Sequence, residues 1–229
     1  IFETHAHYDD ERFDDDRASL LSHLDELGIN PIINVGATVD SAKESLKLAH
    51  EFTNVLAAIG VHPSEIDGLN DSECAWLISN ASDKKTVAIG EIGLDYYWEK
   101  NEQVRNLQKY WFKRQIEIAK QASLPVIIHS REACEDTFDI LKPEMDNGLK
   151  GVMHCFSYSP EVALEYVKRG FFIGVGGVVT FKNGKKLKET VEKIPLEYKS
   201  KTCADLRLPA DLLTDRICRR QRRRKLFRY

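Results

Sequence analysis

The sequence predicts an α/β protein, a (β/α)8 TIM barrel, and three observations carry that prediction. Short apolar, β-branched runs alternate with longer amphipathic segments along most of the 229 residues, and such alternation means parallel strands joined by helical crossovers. Polar residues able to do chemistry (His7, Glu91, His129 and His154) stand at the ends of runs far apart in the chain. No glycine-rich phosphate loop follows the first run. An open doubly wound sheet would spread those ends along an edge, whereas a barrel brings them to one central point.

Taken in order, the first strand is Ile1-Phe2 leading into a histidine pair, followed by a helix over Arg17 to Leu27 with Leu20, Leu21, Leu24 and Leu27 at helical spacing. Further strands fall at Pro31 to Gly36, Val55 to Val61 and Thr86 to Ile92. The stretch from Glu102 to Ala122 places Val104, Leu107, Trp111, Ile116 and Ala119 on one helical face. Leu124 to His129, Gly151 to His154 and Phe171 to Val175 complete the strand-like runs. Several end in Gly or a polar residue, as turns leaving a barrel strand require.

Composition narrows the class. Hydrophobic residues make up 42% and charged residues 30%, an ordinary balance for a globular domain. The net charge of -3 gives no global reason to expect nucleic acid, although a local basic rim around a cleft could serve. Cys74, Cys134, Cys155, Cys203 and Cys218 are scattered, without CxxC spacing, so a reducing compartment is expected. No apolar run reaches membrane-spanning length and no secretory leader is recognisable. A cytoplasmic protein with no membrane association and no obligate protein partner is the expectation.

His5-Ala6-His7 puts two imidazoles two apart on a strand, hence on one face and within reach of one ion. His129 ends Leu-Pro-Val-Ile-Ile-His, His154 ends Gly-Val-Met-His, and Glu91 follows Thr-Val-Ala-Ile-Gly. A carboxylate at the end of a buried strand is costly unless paired or metal-bound. Each signal alone is weak, since a lone His after an apolar strand is more often a core or rim histidine. Together they point to metal. Imidazole plus carboxylate suits Zn²⁺, Mn²⁺, Ni²⁺ or Fe²⁺ better than Ca²⁺. The ligand count exceeds what one tetrahedral catalytic ion needs, so two divalent ions bridged by Glu91, which is also the candidate catalytic residue, are expected.

The segments FETHAHYDDERFDDDR, AAIGVHPSEI, IGEIGLDYYW, LPVIIHSREA, GVMHCFSYSPE and GFFIGVGGVVTFKN, in that order, resemble the signatures of the TatD-related deoxyribonucleases. These are metal-dependent hydrolases on amidohydrolase-type barrels. The resemblance runs from residue 1 to about residue 198. It implies cleavage of DNA phosphodiester bonds with two divalent ions (Mg, Mn, Zn or similar). By motif position, it implies that His5 and His7 bind one ion, His129 and His154 the other, with Glu91 between. His62 and Arg131 lie beside strand ends and are expected to contact substrate. A guanidinium suits bidentate phosphate contact; the alternative for Arg131 is a rim ion pair with Glu132 or Asp136. Tyr96 and Tyr97, following Asp95, could stack an unpaired base but are read as packing the loop.

The resemblance stops after Ile194-Pro-Leu-Glu-Tyr198. The eighth strand of the family, with an Asp that completes one metal site, is replaced by Lys-Ser-Lys-Thr-Cys-Ala-Asp-Leu-Arg and an arginine-rich stretch to Tyr229. The chain is therefore read as a barrel over residues 1–198, its eighth strand doubtful, and a divergent tail over 199–229. Asp205 is one residue off the expected ligand position, which on a strand turns the side chain to the other face; Asp211 and Asp215 lie further on. A shifted frame or alternative exon is the reading of this abrupt change, with reduced stability and activity as the consequence. Beside the deoxyribonuclease stand two alternatives: a hydrolase of a small-molecule amide or ester, and an inactive protein that binds nucleic acid through the basic tail.

Overall fold

The computed structural model describes residues 2–201. Eight strands form one parallel sheet in chain order: β1 Glu3–Ala6, β2 Ile32–Val35, β3 Val55–Ile59, β4 Thr86–Asp95, β5 Val126–Arg131, β6 Gly151–Met153, β7 Phe172–Val175 and β8 Lys199–Lys201. Helices α1 Arg17–Glu26, α2 Val39–Glu51, α3 Asp71–Asn80, α4 Glu102–Ala122, α5 Cys134–Asp146, α6 Pro160–Lys168 and α7 Lys185–Lys193 provide the crossovers. This is the (β/α)8 TIM-barrel order. Several helices begin where the sequence supplies an acceptor for otherwise unpaired N–H groups. Thr38 accepts from Ser41 at α2, Asn70 and Glu73 make a reciprocal capping box at α3, and Asn101 accepts from Gln103 at α4.

The strand residues divide by parity, as a two-sided sheet requires. Ile32, Ala57, Ile59, Ile89, Val126, Ile128 and Ile173 belong to the large core that includes Leu21, Ala42, Leu46 and Phe112 of the helices. Val35, Ala58, Ala88 and Ile127 form a separate cluster with Ile33 and Val152, made of strand residues alone. That second set fills the barrel interior.

Two boundaries differ from the expected ones in a way that matters. β4 continues past Ile92 to Asp95, and β5 continues past His129 to Arg131. The two remain in register as Gly93↔His129, Leu94↔Ser130 and Asp95↔Arg131, so each stretch is stabilised by the other. Local alternation is broken there by Gly93, and only the pairing partner reveals the strand. At the other end, Lys199, Ser200 and Lys201 pair with Ile173, Gly174 and Val175, so the doubtful eighth strand exists as a three-residue segment. The boundary drawn at 198 falls immediately before it. β8 also lies beside β1, so the first and last strands of the ring meet. Asp205, Asp211, Asp215 and the arginine-rich stretch lie outside the described residues, and no helix among the described residues is long and apolar enough to cross a membrane.

Gly93 is the tightest point of the β4–β5 contact. It has φ +146°, where L side chains are strained, and a Cβ there would collide with the carbonyl oxygen of His129. Gly93→Ala is expected to cost about 3 kcal/mol or more, lowering Tm by roughly 10 °C. Thermal melts of the two proteins check this; an unchanged Tm would show that the strands part without penalty.

Candidate metal centre

The strand ends bring His5, His7, Glu91, His129 and His154 together at the C-terminal mouth of the barrel. Glu91 is buried and turns its two oxygens to different neighbours. Oε2 lies 3.3 Å from His5 Nε2, while Oε1 lies 3.1 Å from His129 Nδ1 and 4.0 Å from His154 Nε2. The donor atoms of His5, Glu91 and His154 lie within 4.8 Å of one another, and so do those of His62, Glu91 and His129. The rings of His5 and His154 stack with centroids 3.6 Å apart.

The protonation pattern around these rings is set by groups that can only accept. His7 Nδ1 lies 2.8 Å from the carbonyl of Val35, so Nδ1–H donates and Nε2 carries the lone pair. That lone pair faces His5 Nε2 at 3.1 Å. Burial, and then the neighbouring His5, lower the pKa of His7, and burial followed by His5 holds His154 well below the ordinary range. Neutral imidazole is the form that binds metal. His5 Nδ1 and His154 Nδ1 are buried without a hydrogen-bond partner among the described residues. His5 Nε2 and His7 Nε2, 3.1 Å apart with the Glu91 carboxylate beside His5 Nε2, fit a divalent cation.

His129 differs. Burial opposes its charge, but the hydrogen bonds to Asp95 and Glu91 outweigh burial and push its pKa up to about 9. Its Nε2 is 3.2 Å from Asp95 Oδ2. A carboxylate behind a histidine fixes the tautomer and leaves the other nitrogen for a cation, here Nδ1 on the Glu91 side. Burial raises the pKa of Glu91, but His154 and His5, then hydrogen bonds with His129 and His5, bring it well below the ordinary range.

His62 also sits in this cluster, its ring edge-on to His129 at 4.3 Å. Its Nδ1 lies 2.7 Å from Ser64 Oγ and 3.2 Å from the Ser64 backbone nitrogen. Burial, and then His129, lower its pKa to about 4, so the ring is neutral. It is close enough to Glu91 and His129 to complete a ligand triad. Arg131, at the end of β5, pairs with neither Glu132 nor Asp136. Glu132 pairs with Lys100 and Asp136 with Lys109, while the Arg131 guanidinium lies 3.9 Å over the Tyr97 ring.

Two contributors were not singled out from the sequence. Asp95 appeared only as part of a signature; its even spacing from Glu91 along β4 is the signal that could have marked it. Asn34, fully buried on β2, had no such signal. Its side chain accepts the Tyr8 N–H at 2.5 Å and donates to Asp9 and Ser45 at 2.7 and 2.8 Å. Ser41 donates to the other Asp9 oxygen at 2.6 Å. The segment leaving the histidine pair is thereby clamped to β2 and α2.

A family model described as TatD related DNase matches residues 2–198. The chain belongs to that family. It is 40% identical over 195 residues to the uncharacterized metal-dependent hydrolase YabD of Bacillus subtilis, spanning 85% of this chain and 76% of YabD. It is 32% identical over 200 residues to the uncharacterized metal-dependent hydrolase YcfH of Escherichia coli, spanning 86% and 74%. A crystal structure of YjjV, a TatD homologue from Escherichia coli K12, superposes with TM-score 0.80 at 30% identity, covering 88% of this chain and 78% of that one. A TatD-family hydrolase structure from Entamoeba histolytica shares the fold, with TM-score 0.74 at 23% identity over 88% and 72% of the two chains. Membership makes this chain a TatD-family metal-dependent hydrolase.

The raised pKa of His129 has a consequence for the metal-free protein. Its folded value, about 9, exceeds the unfolded value of about 6.5. The contribution is fully present below the unfolded value and is lost as pH rises through about 9. In EDTA, His129→Gln is expected to destabilise the protein more at pH 6 than at pH 10. Denaturant titrations at both pH values check this, and an equal cost at both would contradict it.

Proposed function

We propose that this chain hydrolyses phosphodiester bonds of DNA at a two-cation centre held by His5, His7, Glu91, His129 and His154. The observation that carries the reading is the division of Glu91. One oxygen faces His5, beside which His7 presents its lone pair, and the other faces His129 and His154. A single buried carboxylate with imidazoles on both sides is what two adjacent divalent ions require. Such ions supply Lewis acidity toward a phosphoryl oxygen and a supply of hydroxide near neutral pH.

The chain's own residues prepare the site for an anionic substrate. Asp95 holds His129 and the Val35 carbonyl holds His7, so neither ring must reorient on binding. His62 stands beside His129 and Glu91, and burial keeps it neutral. Arg131 brings a guanidinium to the mouth with no carboxylate neutralising it among the described residues. A guanidinium there orients a phosphate by paired hydrogen bonds. The DNA specificity also follows the family description, TatD related DNase.

The test is cleavage of a labelled single-stranded oligonucleotide by protein stripped of metal and then reloaded with Mg²⁺, Mn²⁺ or Zn²⁺. Activity is expected to vanish in EDTA, to return on reloading, and to fall by roughly a hundredfold or more in Glu91→Gln. EDTA-resistant cleavage, or full activity in the glutamine variant, would reject the reading. Arg131→Ala is expected to raise KM several-fold while changing kcat less, as steady-state kinetics would show; a pure kcat loss would assign Arg131 elsewhere.

A further inference from the structure

The chain leaving β4 carries three consecutive aromatic residues with different fates. Tyr96 is buried, its hydroxyl donating to Asp136 at 2.7 Å. Tyr97 and Trp98 stand out at 40% and 52% exposure, edge-to-face with centroids 4.6 Å apart. Packing therefore accounts for the first aromatic residue and leaves the other two large rings in solvent. A surface indole and phenol side by side at the mouth of a site have no role in the core.

Two further observations say what covers them. The pair is tied to the metal centre by one carboxylate: Asp95 Oδ1 accepts the backbone N–H of Tyr97 at 2.9 Å and of Trp98 at 3.4 Å, while Oδ2 faces His129 at 3.2 Å. The rings are also flanked by cations. The Arg131 guanidinium carbon lies 3.9 Å from the Tyr97 centroid and 5.7 Å from that of Trp98, and Lys100 Nζ lies 6.0 Å from Tyr97. Lys100 is committed to the Tyr96 carbonyl and Glu132. Among the described residues no acceptor takes a hydrogen bond from the Arg131 guanidinium.

We infer that Tyr97 and Trp98 form a stacking platform for an unpaired nucleobase of the strand being cleaved, with Arg131 holding the adjoining phosphate. The inference rests on the nuclease reading above and deepens it. Aromatic side chains beside basic ones bind single strands because every base offers a π-face and every linkage a charge. A base within a duplex has both faces covered by its neighbours, so the platform takes frayed or single-stranded ends. It discriminates little among base identities, since no edge-reading group is needed for stacking.

The experiment measures binding in EDTA, where nothing is cleaved, by fluorescence anisotropy. The probes are a fluorescein-labelled thymidine oligonucleotide and an abasic oligonucleotide of the same length and charge. Wild-type protein is expected to bind the thymidine strand roughly tenfold more tightly than the abasic one. Trp98→Ala is expected to abolish most of that ratio and Trp98→Phe to keep most of it. A wild-type ratio near one, or a ratio unchanged in Trp98→Ala, overturns the platform. Intrinsic fluorescence gives a second readout needing no variant: Trp111 is buried and Trp76 half-buried, so stacking on Trp98 quenches the exposed emission, and absence of quenching counts against it. Base-dependent binding without metal-dependent cleavage would leave the platform standing and sink the nuclease reading. Cleavage without base dependence would do the reverse.

Discussion

A carboxylate removed from water is the constraint around which this molecule is arranged. Glu91 sits at the mouth of the barrel with its charge intact, and a buried charge without partners is among the most expensive features a fold can carry. Its partners come from β1, β5 and the residue following β6. No helix or hairpin could deliver donors from positions so far apart in the chain. A parallel barrel does so because all its strands point the same way and end around one axis. The site and the fold are in this sense one solution.

The β4–β5 pair bears the largest share of that arrangement. Its register sets Gly93 against His129 and Asp95 against Arg131, so the shared carboxylate, one imidazole, the residue that orients it and the free guanidinium all belong to one two-stranded unit. Asp95 reaches both ways, toward His129 with one oxygen and toward the exposed aromatic pair with the other. A change at the exposed aromatic pair is therefore mechanically close to the histidine cluster. The histidine pair on β1 is held differently, through the buried Asn34, Asp9, Ser41 and Ser45 network. Two independent supports converge on the same cluster.

The ring comes round on a short strand. Among the described residues β8 is three residues long, pairs with β7 and lies beside β1. The first and last strands thereby meet at the side of the barrel opposite the long β4–β5 ladder.

The sequence by itself determined the alternation of elements, hence the barrel, and it marked Glu91 and the four histidines now found around it. Those signals are local: an apolar run, a polar residue at its end, two histidines at even spacing. What only the tertiary structure decided is how the five face one another and what stands behind them. Arg131 could pair with Glu132 or Asp136 by proximity in the chain, but Lys100 and Lys109 take those carboxylates and the guanidinium turns to Tyr97. Tyr96 and Tyr97 are adjacent and chemically alike, yet one is buried and the other exposed, because a turn directs successive side chains by backbone geometry and not by residue type. Asn34 gave no periodic or spacing signal, since a buried polar residue is explained only by the groups that satisfy it, and those lie on other elements.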